Sequence, residues 1–202
     1  MIISGAATSL RSPKFGDGAA VVFPECAYPT YEVGALTSGA RAVALDDPEA
    51  IPADARLVWI NSPANPSGRI LSADETRAFV AAARRIGAVL ASDECYGEFA
   101  WEAEPVSVLD PRVNDGDLTG LLAVHSLSKR SNAAGYRAGF VAGDPAVVQE
   151  LVAARKHLGM MLPRPIQAAM VALLGDQDHV EEQRARYLAR RALLRPALEA
   201  AG

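Results

Sequence analysis

Residues 88–96 read AVLASDECY, a run of five small or apolar residues followed by two carboxylates, a thiol and a phenol. Such a run is typical of a β-strand that helices cover on both faces, with polar residues placed where the strand ends. Residues 57–65 (LVWINSPAN) and residues 121–129 (LLAVHSLSK) show the same pattern of an apolar run followed by polar residues. Because ligands of parallel sheets bind beyond the carboxyl ends of the strands, these three stretches predict one binding edge.

The rest of the chain alternates short apolar runs with longer amphipathic ones, which predicts an α/β fold. We expect three layers, α/β/α, with a mostly parallel sheet between the helices. The predicted strands are residues 20–23, 41–45, 57–60, 88–92, 121–125 and 138–142. The predicted helices are residues 73–85, 145–158, 166–174 and 179–201.

Two of these helices have more detailed predictions. Ser72 precedes the first helix and Glu75 follows three residues later, which indicates a capping box, while Gly87 ends the helix. The residues expected on the buried side of the last helix are Tyr187, Leu188, Leu194 and Leu198.

The composition excludes several classes of protein. A net charge of −4 gives no global basic field for nucleic acid, and no apolar run approaches the ~20 residues of a membrane span. Cys26 and Cys95 form no CxxC pair, and the histidines and cysteines lack metal-ligand spacing, so we expect no metal site. The first residues lack the pattern of a signal peptide, which predicts a reduced, cytoplasmic protein.

Lysine is rare in this chain, and one lysine lies directly behind a predicted buried strand. The twenty basic residues include only three lysines, Lys14, Lys129 and Lys156. At the binding edge Lys129 can form a Schiff base with an aldehyde, and pyridoxal phosphate is the aldehyde cofactor that needs such a lysine. Asp93 would then keep the pyridine nitrogen of that cofactor protonated.

The other polar residues of this edge suit the same cofactor. Asn65 and Tyr96 can donate hydrogen bonds to the phenolic oxygen of its ring. Ser126, Ser128 and Arg137 can hold its phosphate, with the guanidinium as the charged fork. Ser128 is also a candidate helix cap.

These residues belong to five motifs in a fixed order. Together the motifs resemble the large domain of class I/II aminotransferases, the fold-type I pyridoxal-phosphate enzymes, from about Gly16 to the end of the chain. They are Tyr28-Pro29-Thr30-Tyr31, Asn61-x-Pro-x-Asn65-Pro66-Ser67-Gly68, Asp93-Glu94-x-Tyr96, Ser126-x-Ser128-Lys129 and Gly135-Tyr136-Arg137-x-Gly139.

The resemblance implies an activity, partners and residue roles. The activity is transfer of an amino group between an amino acid and a 2-oxo acid, in enzymes that usually work as homodimers. Lys129 is expected to carry the cofactor and then to act as the base and acid of a 1,3-proton shift. Tyr28 is expected to lie against the face of the cofactor ring.

Three segments are similar to actinobacterial succinyldiaminopimelate aminotransferases, which act in lysine and cell-wall biosynthesis. This similarity implies N-succinyl-diaminopimelate and 2-oxoglutarate as substrates. The segments are Asp93-Glu94-Cys95-Tyr96, Glu104-Pro105-Val106-Ser107-Val108-Leu109 and Lys156-His157-x-Gly159-Met160-Met161.

The sequence departs from the family at both ends. Residues 1–15 do not match the family's N-terminal arm, first strand and phosphate-binding loop, and they receive no assignment. Residues 16–176 are expected to form an incomplete large domain that binds pyridoxal phosphate. Residues 177–202 are expected to form a long helix leading to a missing small domain. Within the matching region, Cys26 stands where the family usually has a proline.

Two alternatives to a working aminotransferase remain open at this stage. The missing ends favour a truncated, non-catalytic fragment that binds the cofactor weakly. A carbon–sulfur lyase or a cyclopropane-forming synthase of the same fold would keep the same cofactor residues, and reaction with 2-oxoglutarate would separate these from a transaminase.

Overall fold

The computed structural model describes residues 18–159 and 161–202. The unassigned segment 1–15, Lys14 and Met160 lie outside the described residues. Six strands form one sheet in the order β2-β1-β3-β4-β5-β6. They are β1 Ala20–Phe23, β2 Arg41–Ala44, β3 Ala55–Asn61, β4 Val89–Asp93, β5 Leu121–Ser126 and β6 Gly139–Gly143.

The sheet is mostly parallel, as the sequence predicted. Strands β1 to β5 pair in parallel, and β6 at one edge runs antiparallel to β5. Each predicted strand is present, with bounds that differ by at most two residues. The α/β fold class is therefore confirmed.

The described part of the chain contains seven α-helices and three short 3₁₀ turns. The helices are α1 Thr30–Thr37, α2 Ala73–Ile86, α3 Pro111–Asn114, α4 Leu127–Arg130, α5 Pro145–His157, α6 Arg164–Gly175 and α7 Asp178–Ala201. The turns are Pro48–Ala50, Gly97–Phe99 and Ala134–Tyr136.

Helices cover both faces of the sheet and so create two cores. Alternate residues of a strand point to opposite faces. On one face Val58 and Leu90 pack with Phe79 of α2. On the other face Trp59 packs with Tyr31 of α1, and Leu151 of α5 joins the same cluster. These two clusters lie between the sheet and the helices on each of its faces, as the predicted three-layer arrangement requires.

Helix α2 begins and ends as its sequence predicted. The Ser72 amide donates to Glu75 Oε2 at 2.8 Å, and the Glu75 amide donates to Ser72 Oγ at 3.2 Å. This reciprocal pair is a capping box, which satisfies two otherwise free donors of the first turn. Gly87 follows the helix with a φ of 68°, a left-handed conformation that favours glycine.

Helix α1 was not predicted from the sequence. It has only eight residues, and no side chain caps its first turn. Isolated helices of this length are unstable in water, so packing must hold it. Its buried residues Tyr31 and Ala35 supply that packing against the sheet.

The predicted buried side of α7 was largely wrong. Leu188, Leu194 and Leu198 are each more than half exposed, and Tyr187 is half-buried against Phe99, with ring centroids 5.5 Å apart. Residues 184–195 of the helix contact the segment 98–102 after β4, and no described residue covers the later leucines. Among residues 18–159 and 161–202, no helix is both long and apolar enough to cross a membrane.

Candidate functional site

The carboxyl ends of the central strands open into one cavity of about 230 Å³. Asn61 at the end of β3 pairs in register with Asp93 at the end of β4, and Asp93 pairs with Val124 on β5. All eight residues chosen from the sequence line this cavity, although their chemical roles remain predictions. They are Tyr28, Asn65, Asp93, Tyr96, Ser126, Ser128, Lys129 and Arg137.

Asp93 provides a buried carboxylate in the wall of the cavity. Its residue is only 5% exposed. The Tyr31 hydroxyl donates to Asp93 Oδ2 at 2.8 Å, and the Cys95 amide donates to Oδ1 at 3.1 Å. Burial and the nearby Asp93 charge raise the pKa of the Tyr31 phenol far above its ordinary value, so the phenol stays a hydrogen-bond donor.

Asn61 ties the loop that carries Asn65 to the strand that carries Asp93. Its Nδ2 donates to the main-chain oxygens of Pro63 at 3.1 Å and Asp93 at 2.8 Å. Its Oδ1 accepts from the Asn65 amide at 2.8 Å. A buried carboxamide whose nitrogen and oxygen both make hydrogen bonds to the main chain fixes the backbone around it.

Lys129 lies on the short helix α4, directly after β5. Ser126 caps that helix, because its Oγ accepts from the Ser128 amide at 3.2 Å. The candidate cap Ser128 therefore does not cap the helix, since Ser126 occupies that position. Lys129 is exposed at the cavity, and its Nζ lies 5.3 Å from the centroid of the half-buried Tyr96 ring.

Arg137 and Tyr28 form the more exposed part of the lining. Arg137 follows a 3₁₀ turn with a φ of 52°, and its Nη1 donates to the Ala134 oxygen at 2.9 Å. Tyr28 is 44% exposed and meets the Tyr31 ring edge-on, with centroids 6.4 Å apart. Both side chains can reach a molecule in the cavity from its open side.

Sequence reasoning missed three residues that shape this site. Tyr31 and Asn61 belong to quoted motifs but received no role, and His125 lies at the cavity wall, stacked on Phe140 with centroids 4.9 Å apart. The positions of Asn61 and His125 at strand ends were visible in the sequence, whereas Tyr31 lies on helix α1, which was not predicted. The contact of Tyr31 with Asp93 was not visible either, because the two residues are 62 positions apart.

A second cavity of about 370 Å³ adjoins the first and shares Cys95, His125 and Ser126 with it. Buried Glu94 lies in its wall, where Oε1 accepts from the Val108 amide at 2.8 Å and Oε2 is 3.5 Å from His125 Nε2. Burial is the main cause that raises the pKa of the Cys95 thiol well above its ordinary value. The thiol is therefore a poor nucleophile at neutral pH.

The first cavity has the donor set that a phosphorylated pyridine aldehyde requires. It combines an amine, a buried carboxylate, an amide, a phenol, hydroxyl groups and a guanidinium within one enclosure. The amine suits an aldehyde, the carboxylate a protonated ring nitrogen, and the guanidinium a phosphate. No group of three metal-ligating side chains that could hold a metal ion is present in the described part of the chain.

Comparison with known proteins agrees with this chemistry. The family model "Aminotransferase class I and II" matches residues 7–202, so the match begins before Gly16, within the segment 1–15 that received no assignment from the sequence. A probable aminotransferase of Mycobacterium tuberculosis is 57% identical over 183 residues, which cover 90% of this chain and 44% of that protein. The 4-dedimethylamino-4-oxo-anhydrotetracycline transaminase OxyQ of Streptomyces rimosus is 55% identical over 188 residues, covering 93% of this chain and 52% of that protein.

A solved structure shows the same fold. The N-succinyldiaminopimelate aminotransferase of Mycobacterium tuberculosis superposes with a TM-score of 0.85 at 26% identity, covering 99% of this chain and 54% of that one. The present chain thus spans about half the length of the relatives that it matches.

Proposed function

Because this chain belongs to the class I and II aminotransferases, we propose that it is part of a pyridoxal-phosphate enzyme that transfers an amino group between an amino acid and a 2-oxo acid. The observation that carries the proposal is the common cavity of Lys129 and Asp93. An amine and a buried carboxylate in one enclosure are the two groups that this cofactor most requires.

The remaining lining residues divide among the parts of the cofactor. Asp93 would bind the ring nitrogen, Asn65 and Tyr96 the phenolic oxygen, and Tyr28 the ring face. Ser126, Ser128 and Arg137 would bind the phosphate. When bound, pyridoxal phosphate supplies an aldehyde that condenses with amines and a ring that accepts electrons from the substrate carbon.

Lys129 is the residue that moves protons in this proposal. Its Nζ would take a proton from the Cα of the amino donor as a neutral amine and would return a proton to the cofactor side as an ammonium group. The position of Lys129 on a capped helix at the cavity would suit both roles.

The domain arrangement, the cellular location and the oligomeric state are further parts of the proposal. Residues 16–176 would belong to the cofactor-binding large domain, and residues 177–202 would lead towards a small domain like that of full-length relatives. The working enzyme would be a cytoplasmic homodimer. Sedimentation of the protein with bound cofactor tests the oligomeric state.

We propose N-succinyl-diaminopimelate as the first amino donor to assay, with 2-oxoglutarate as acceptor in lysine biosynthesis. Support comes from the three similar sequence segments and from the likeness to the mycobacterial structure. The tetracycline-pathway transaminase is more similar in sequence, which makes a polycyclic ketone the second substrate to assay.

An assay of product identity tests the reaction class. The protein is loaded with pyridoxal phosphate and mixed with amino donors and 2-oxoglutarate, with Lys129→Ala as the control. Formation of glutamate that requires Lys129 supports an aminotransferase. Release of pyruvate and ammonia without glutamate indicates a carbon–sulfur lyase and would overturn the proposed reaction. Bound cofactor without either product indicates that this chain alone is a non-catalytic fragment.

A further inference from the structure

We propose that Tyr31 is a positioning residue of this site, whose hydroxyl holds the Asp93 carboxylate in the orientation that the cofactor's ring nitrogen requires. The inference rests on the proposed function. Tyr31 would not touch the reacting atoms, because it acts through Asp93.

The Tyr31 hydroxyl contacts the Asp93 carboxylate directly. The hydroxyl of Tyr31 donates to Asp93 Oδ2 at 2.8 Å from helix α1, an element remote in sequence. The Cys95 amide holds the other oxygen at 3.1 Å. With a donor on each oxygen, the carboxylate cannot rotate without losing a hydrogen bond.

The Tyr31 phenol is itself held in place by packing. Tyr31 is 1% exposed, and its ring centroid lies 5.3 Å from that of Trp59 at an interplanar angle of 37°. The edge-on Tyr28 ring closes a second side. A buried hydroxyl that needed only an acceptor could use a main-chain oxygen, but this one uses the carboxylate at the cavity.

The hydrogen bond also acts electrostatically. A donor hydrogen bond to a carboxylate stabilises its charged form. Loss of the hydroxyl would therefore remove one of the two hydrogen bonds that stabilise the Asp93 carboxylate. The other ionisable groups that line the cavity stay in place in a Tyr31→Phe variant; they are Tyr28, Cys95, Tyr96, His125, Lys129 and Arg137.

Cofactor binding, measured by absorbance and fluorescence titration, tests the inference without reference to turnover. Tyr31→Phe keeps the ring and removes the hydroxyl, and we expect it to weaken pyridoxal phosphate binding about tenfold. Tyr187→Phe on α7 makes the same chemical change outside the cavity and should leave the affinity unchanged.

Two further variants separate positioning from packing. Leu151→Ala loosens the same core but keeps the Tyr31 hydroxyl and its Trp59 contact, so it should lose stability and still bind the cofactor as the unaltered protein does. In an Asp93→Asn background, Tyr31→Phe should cause little further loss, because the two residues act as one unit. Additive losses in the double variant, or equal losses in Leu151→Ala, would overturn the inference.

The result also separates this inference from the function on which it rests. If the unaltered protein binds no cofactor, the proposed function fails. If the unaltered protein and Tyr31→Phe bind it equally well, only the role of Tyr31 fails.

Discussion

The side chain of Asn61 donates a 2.8 Å hydrogen bond to the main-chain oxygen of Asp93, across the neighbouring ends of β3 and β4. The same carboxamide accepts from the Asn65 amide at 2.8 Å. One buried side chain therefore sets the spacing between two residues of the proposed cofactor site.

Asn61→Ala should lower both stability and cofactor affinity. It leaves the Pro63 oxygen and the Asn65 amide without this partner and removes one of the two donors to the Asp93 oxygen, at a cost of about 2 kcal/mol in unfolding free energy. Cofactor affinity should fall about tenfold as the loop loosens. Urea unfolding and cofactor titration measure the two effects.

Asn114→Ala is the matched control for Asn61→Ala. Asn114 is also buried, and its carboxamide donates to the Val108 oxygen at 3.0 Å and accepts from the Gly116 amide at 2.8 Å. The control should lose comparable stability and keep its cofactor affinity. Equal loss of affinity in both variants would show that Asn61 has no special effect on the site.

The capping box of α2 predicts a pH dependence of stability. Hydrogen bonds from the Ser72 amide and hydroxyl, aided by Arg69, lower the pKa of Glu75 from its ordinary 4.5 to about 2. Since the folded-state pKa is depressed, the stabilisation is complete above the unfolded value and is lost as pH falls through the folded value.

Glu75→Gln tests that dependence, because it removes the charge and keeps the shape. The side chain is 43% exposed, so solvent screening leaves a cost of about 1 kcal/mol at pH 7. Urea unfolding from pH 7 to pH 3 should show the two proteins converging as the acid is protonated. A difference that stays constant over this range would rule out the ionic contribution.

Gly143, at the end of β6, should tolerate no side chain. A Cβ at this position would lie 2.0 Å from the Leu121 oxygen, and its φ of 142° is one that other residues rarely adopt. Gly143→Ala should therefore cost about 3 kcal/mol or more. Gly175→Ala, where nothing lies within 4 Å, should be neutral in the same thermal unfolding experiment.

Arg184 anchors α7 to the segment that follows Tyr96. Its guanidinium donates to the main-chain oxygens of Glu98 and Ala100 and lies 4.7 Å from the Trp101 ring centroid. Arg184→Ala should cost about 2 kcal/mol and speed hydrogen exchange in residues 97–101. Arg186→Ala removes only an exposed pair with Glu182 and should cost less than about 0.5 kcal/mol. Similar exchange in both variants would contradict the anchoring role.

The sheet could be predicted because most of its strands are apolar runs, such as residues 57–60 and 121–125. Each such run can be recognised from its own short stretch of sequence. The eight chosen residues also share one cavity, since polar side chains after parallel strands meet at one edge. Helix α1 could not be predicted, because it depends on Tyr31 packing against Trp59.

Longer-range relations were outside the reach of sequence patterns. The contact of Tyr31 with Asp93 joins residues 62 positions apart, and no local period indicates it. The leucines of α7 follow a helical pattern, yet a pattern shows only which residues share a face. Whether another segment covers that face depends on the tertiary structure, and within the described residues none covers Leu194 or Leu198.

The central claim is that Lys129 is the lysine that reacts with pyridoxal phosphate. The most direct measurement is borohydride reduction of the loaded protein, followed by peptide mass spectrometry across Lys14, Lys129 and Lys156. We expect a single reduced adduct on Lys129, present in Lys156→Ala and absent in Lys129→Ala. An adduct spread over the three lysines, or one that survives Lys129→Ala at full yield, would contradict the account.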